Sequence, residues 1–170
     1  GAGGGGVGKN DAPAAAAGSS RPVKTLPRPA YKGDPRALIN VCRYGGSGDV
    51  EEVRDLIARG ISVNDQDENQ CTALHNAASC NRIDIVRELI RAGAALDVKD
   101  KWGDTALHHA VSCNRIDIVR ELIHAGAALD VKDRTGKTAL HWAAMEGRID
   151  IVRELIRAGA ALDVKNYGGD

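Results

Sequence analysis

The sequence predicts an all-α repeat solenoid, and three observations predict it. The first is a strict internal period of 33: Thr72-Ala73-Leu74-His75 returns from Thr105 and again from Thr138. The second is the longer run Arg82-Ile83-Asp84-Ile85-Val86-Arg87-Glu88-Leu89-Ile90, repeated from Arg115 and Arg148 and followed each time by Ala-Gly-Ala-Ala-Leu-Asp-Val-Lys. The third is composition: aromatics are 3% of the chain and Phe is absent, so the core is built of Ala, Leu, Ile and Val. Those residues suit thin, close-packed helix layers.

Each unit reads as two short helices and an extended finger. Thr72 caps the first helix through its hydroxyl, and Leu74, Ala77 and Ala78 supply a small apolar face. Asn81, Asn114 and Gly147 fall at one equivalent position and tolerate the left-handed conformation that ends a helix. In the second helix Ile83, Val86, Leu89 and Ile90 follow at helical spacing, with Asp84 and Arg87 outside, and Gly93 stops it. Neither helix approaches the roughly 12 to 15 residues at which isolated helices become marginal, so the units must stack.

The repeats occupy 72–104, 105–137 and 138–170, and residues 35–71 form a degenerate first, capping repeat. In that repeat Leu38 to Tyr44 is the first helix, and Gly48 to Ile57 aligns with the later second helices. The connecting turn Gly45-Gly46-Ser47-Gly48 is three residues longer than its counterparts. No polar closing repeat follows Asp170, and Met145 is the sole methionine, so a longer or processed natural polypeptide is expected. Residues 1–34 are a Gly-, Ala- and Pro-rich, weakly basic arm, expected to be disordered or ordered on a partner, with Val23, Leu26 and Tyr31 as anchors.

Lys plus Arg balances Asp plus Glu at 23 each, which provides no field for nucleic acid, and no run of 18 apolar residues spans a membrane. Cys42, Cys71, Cys80 and Cys113 follow neither a zinc spacing nor a disulfide framework. They read as free thiols in a reducing, intracellular compartment, the cytoplasm first, or an organelle interior after removal of a transit peptide. Gly3 to Asn10 imitates a phosphate loop in spelling only, having no preceding strand and no Ser or Thr after Lys9.

From the Thr-Ala-Leu-His openings to the Ala-Gly-Ala-Ala-Leu-Asp segments, residues 35–170 resemble the ankyrin-repeat family, about four repeats of it. The resemblance implies helix pairs with β-hairpin fingers, an L-shaped profile, a concave groove and a protein partner. Ala73, Ala106 and Ala139 stand where the family usually has Pro, and Arg82, Arg115 and Arg148 where it often has His. It also implies that His75, His108 and His141 tie fingers to helices. Helices stacked roughly 8 to 10 Å apart hold these imidazoles too far from one another to share a zinc ion. Asp84, Glu88, Asp117, Glu121, Asp150 and Glu154 repeat identically, as a solvated outer face does, and no catalytic, cofactor or metal site is expected.

Ten of 33 positions differ among the three later copies. Divergence clusters at Asn76, His109 and Trp142, at Ser79, Ser112 and Met145, and in the fingers at Lys101, Trp102, Arg134, Thr135 and Tyr167. These eleven residues are the expected partner-binding set, with the two tryptophans foremost because Trp is enriched at interface hot spots. The function expected is a non-catalytic protein-binding scaffold or adaptor. Alternatives are an accessory subunit anchored by the arm, or the regulatory portion of a longer enzyme or channel.

Overall fold

A computed structural model describes residues 34–46 and 49–169, so the arm with Val23, Leu26 and Tyr31, part of the long turn, and Asp170 lie outside the described residues. Eight helices form among them: α1 (Ala37–Tyr44), α2 (Asp49–Ala58), α3 (Ala73–Ser79), α4 (Ile83–Arg91), α5 (Ala106–Ser112), α6 (Ile116–His124), α7 (Ala139–Met145) and α8 (Ile149–Arg157). The odd-numbered helices stack as one layer and the even-numbered helices as a second, with each α1–α2 type pair joined across the layers. The fold is the expected α solenoid. None of the helices is long and apolar enough to cross a membrane.

The first helices start as their sequence predicts. Thr72, Thr105 and Thr138 each accept from the backbone N–H of the histidine three residues on, and that histidine's ring takes the threonine N–H in return. The turns between paired helices pass through Asn81, Asn114 and Gly147 at φ of 59°, 56° and 67°. Small side chains let the layers approach closely: Leu74, Ala77 and Ala78, and likewise Leu107, Ala110 and Val111, are essentially solvent-free. In the second helices the innermost stripe is Ile85, Val86 and Leu89, whereas Ile83 and Ile90 are only half-buried. Positions i, i+1 and i+4 point into the layer, and the two isoleucines flank it. In the last repeat the equivalents Ile149 and Ile156 are exposed, because no further helix pair lies over them among the described residues.

The outer acidic residues are not uniformly solvated. The side chains of Asp84, Asp117 and Asp150 are 72%, 76% and 80% exposed. Glu88, Glu121 and Glu154, only 13%, 29% and 19% exposed, instead receive Arg54, Arg87 and Arg120 from the preceding repeat at 2.8, 2.9 and 3.2 Å. One turn of helix separates the two carboxylate rows, and only the glutamates reach the neighbouring repeat.

No strand forms among the described residues. Each finger is a turn closed by two backbone bonds: Asp67 N–H to Cys71 O with Gln70 N–H to Asp67 O, Asp100 N–H to Asp104 O with Gly103 N–H to Asp100 O, and Asp133 N–H to Lys137 O with Gly136 N–H to Asp133 O. Successive tips are linked by one backbone bond each, Lys101 N–H to Asn69 O, Arg134 N–H to Trp102 O, and Tyr167 N–H to Thr135 O. With one backbone bond between successive tips and the others turning back within a finger, no continuous ladder develops.

Two outcomes follow. Gly103 sits at φ 84°, and a Cβ there would lie 2.7 Å from the Arg134 nitrogen, whereas Gly126 at φ 94° has nothing within 4 Å. Gly126→Ala is expected to cost about 1 kcal/mol from the left-handed backbone alone, and Gly103→Ala roughly twice that or more; equal losses in urea denaturation would refute the close finger contact. His108 is bonded as a neutral ring, and burial, the dominant effect, pushes its pKa below the ordinary value against the pull of the Lys137 carbonyl and Asp133. Unfolded, it takes up a proton near about pH 6.5, so its contribution is complete above that value and falls as the pH drops below it. Its ring resonances should titrate below the ordinary histidine value; titration at or above it would contradict the buried bonding.

Candidate partner-binding face

One aspartate organises each finger. Asp67 Oδ1 accepts the N–H groups of Asn69 and Cys71, both at 2.9 Å. Asp100 Oδ1 accepts those of Trp102 and Asp104, both at 2.9 Å, and Asp133 Oδ1 those of Thr135 and Lys137 at 2.7 and 2.9 Å. This is the Asx-type turn in which a short carboxylate substitutes for backbone acceptors. Such a carboxylate has a second oxygen, and each Oδ2 turns toward a first helix. There the residues differ: Arg43 reaches Asp67, His109 Nε2 reaches Asp100 at 2.8 Å, and Trp142 Nε1 reaches Asp133 at 2.9 Å. Burial pushes all three carboxyls up, but the amide and side-chain donors outweigh it and hold them below the ordinary aspartate value.

Asp104 behaves oppositely. It has a buried Oδ1 with no hydrogen-bonding partner, and desolvation, reinforced by the Asp100 charge, pushes its pKa up to about 6. The buried histidines are satisfied on both sides: His75 Nδ1 accepts the Thr72 N–H at 3.0 Å and its Nε2 lies 2.9 Å from the Asp104 carbonyl in the next finger. His108 repeats this with Thr105 and the Lys137 carbonyl. They bond fingers to helices, as the resemblance implied.

The predicted binding residues divide into two groups. Asn76, Ser79, Lys101, His109 and Trp142 are half-buried and already bonded within the chain. Asn76 Oδ1 accepts from Arg43 Nε at 2.8 Å, Ser79 Oγ meets His109 Nδ1 at 2.8 Å, and Lys101 Nζ donates to Asn69 Oδ1 at 2.6 Å. Trp102, Ser112, Arg134, Thr135, Met145 and Tyr167 are exposed. Backbone bonds between tips bring Trp102, Arg134, Thr135 and Tyr167 into one row. Lys101 Nζ sits 4.4 Å from the Trp102 ring centre and Lys132 Nζ 5.9 Å from that of Tyr167. The sequence reading passed over Asp67, Asp100 and Asp133, although Asp100 and Asp133 each stand three residues before a glycine in a segment of turn-forming residues. It also passed over Arg43, the first repeat's substitute for the groove donors.

Comparison with known families reaches most of this architecture. A family model described as ankyrin repeats in three copies matches residues 84–166, and a second, described as ankyrin repeats in many copies, matches residues 56–110. The chain belongs to the ankyrin-repeat family. Ankyrin repeats generally mediate protein–protein interaction and are typically non-catalytic. No curated protein matches the chain. Within the ankyrin frame, the aspartate at the finger base and the varied donor opposite it define how finger and first helix present a common face.

Trp142→Phe keeps most of the ring but deletes the donor to Asp133 Oδ2. The ankyrin domain should lose about 1.5 to 3 kcal/mol, the range for a hydrogen bond to a charged group. Arg134→Ala, on an exposed tip, should stay within about 0.5 kcal/mol of the parent. Urea unfolding of both variants checks this, and a Trp142→Phe protein as stable as the parent would show that the indole N–H contributes nothing.

Proposed function

We propose that this ankyrin-repeat chain is a non-catalytic scaffold or adaptor that holds a protein partner along its finger tips and the adjoining ends of its first helices. The observation that carries the reading is the tip row itself. Trp102 is 50% and Tyr167 73% exposed, in a chain whose core uses no aromatic for filling. Large rings held in water by a fixed backbone bury area on binding with little loss of side-chain freedom. Arg134 and Thr135 lie between them, and Lys101 and Lys132 stand over the two rings, which favours a partner presenting carboxylates around an apolar anchor. Met145 and Ser112, both exposed at the ends of α7 and α5, extend the same surface toward the helices.

The half-buried residues Asn76, Ser79, Lys101, His109 and Trp142 set the shape of the floor, and the exposed ones supply the contact energy. A variant combining Trp102→Ala, Arg134→Ala and Tyr167→Ala leaves every finger aspartate bond intact, so the fold should persist. Capture of the partner from native lysate, quantified by mass spectrometry, should weaken by about tenfold or more. Undiminished capture by a variant with unchanged circular dichroism would place recognition elsewhere.

A further inference from the structure

We propose that Cys71, at the end of the first repeat, Asp100 in the second and His109 in the third form a binding site for a zinc-type divalent metal ion. Cys71 Sγ lies 3.9 Å from Asp100 Oδ2, and His109 Nε2 lies 2.8 Å from the same oxygen. The three donor atoms are all within 4.8 Å of one another, with Cys71 and Asp100 buried and His109 half-buried. Zinc bound at about 2.0 to 2.3 Å keeps tetrahedral ligand atoms roughly 3.2 to 3.8 Å apart. Movements of about 1 Å therefore convert the cluster into three ligands, with water completing the tetrahedron. Thiolate, imidazole and carboxylate together favour zinc over the oxygen-seeking magnesium and calcium.

The surroundings orient these ligands. Ser79 Oγ donates to the His75 carbonyl at 3.1 Å and has lone pairs left for His109 Nδ1, 2.8 Å away, so Nε2 is the nitrogen aimed at Asp100. Asp100 Oδ1 is fixed by the Trp102 and Asp104 amides, which leaves Oδ2 as the ligand. Such outer bonds are the ordinary support of metal-bound histidine and carboxylate. Binding releases the Cys71 thiol proton, and any Nε2 proton shared with Asp100, to water. Among the described residues no other repeat boundary has this set: Asn76 stands at the place of His109 at the first, and at the third Trp142 faces Asp133 where Asp104 replaces the thiol. The site arises from divergence at two positions, those of Cys71 and His109; Asp100 and His109 stand 29 and 38 residues after Cys71, a spacing unlike a zinc motif, and the site is visible only once the repeats stack.

The test is titration of the reduced, full chain with cobalt(II), followed by displacement with zinc. One equivalent should produce a thiolate-to-cobalt charge-transfer band that zinc abolishes, with a rise in melting temperature. Cys71→Ser and His109→Gln should each weaken binding by at least about tenfold, whereas Cys80→Ser, at an exposed thiol, should bind as the parent does. Should Cys71→Ser fail to fold, His109→Gln carries the test, because the amide of Asn76 already occupies the equivalent position. Absence of the band, its persistence in either ligand variant, or its loss in Cys80→Ser would overturn the proposal.

Discussion

Helices of seven residues, such as α3, α5 and α7, make too few internal hydrogen bonds to offset their ordering entropy in water. What holds them is the imidazole at the third helical position. His75 closes its own helix start through Thr72 and, with the other nitrogen, takes hold of the next finger at the Asp104 carbonyl. His108 does the same for the finger after that. A single neutral ring thus fixes a helix start, a finger and the register between two repeats. Its burial keeps it neutral, and neutrality is what lets one nitrogen accept while the other donates. Leu74, Leu107 and the alanines pack as they do because this bracket sets their spacing.

A second constraint follows from the first. With the finger base held at a set distance from the first helix, each finger aspartate must point one oxygen at that helix, and something there must answer it. Three chemistries answer: a guanidinium from Arg43, an imidazole from His109 and an indole from Trp142. The demand is constant, a donor of one approximate length, and the donor's identity is unconstrained. His109 and Trp142 stand at equivalent positions, whereas Arg43 comes from the first helix of the finger's own repeat, so the answering residue can differ in kind and place without disturbing the fold, and the face it lines can be specialised.

Much of this was readable along the chain, and the failures share a cause. Threonine caps, left-handed turns at Asn81 and Asn114, and buried Leu74 and Ala77 depend on neighbours within four residues, which is the range that periodicity and turn chemistry report. The bonds that escaped notice run between repeats: Arg54 to Glu88, Arg87 to Glu121, and Cys71 to Asp100 join residues 34, 34 and 29 apart. A helical wheel puts Asp84 and Glu88 on the same outward side, and only the stack distinguishes the one that meets an arginine. The fingers were expected as β-hairpins from family resemblance. Their tips are too short, and too occupied by aspartate side chains, to build a strand ladder.

Identical residues in a repeat are not equivalent residues, and the arginines before α4, α6 and α8 show why. Arg82 meets Asp49 at 2.7 Å and also bonds the Gly45 carbonyl, because the residue at the corresponding place in the preceding repeat is acidic. Arg115 finds Arg82 at that place, and Arg148 finds Arg115; both have a buried Nε with no hydrogen-bonding partner. Arg148 turns instead to Glu146 at 3.2 Å, one of the positions that diverged. The same side chain therefore ties down the first boundary and burdens the next two, where an unsatisfied buried donor opposes the apolar contacts beside it. Stability in such an array is a sum over boundaries with different terms, so the boundary anchored by Asp49 and Arg82 gains a bond that the later ones lack.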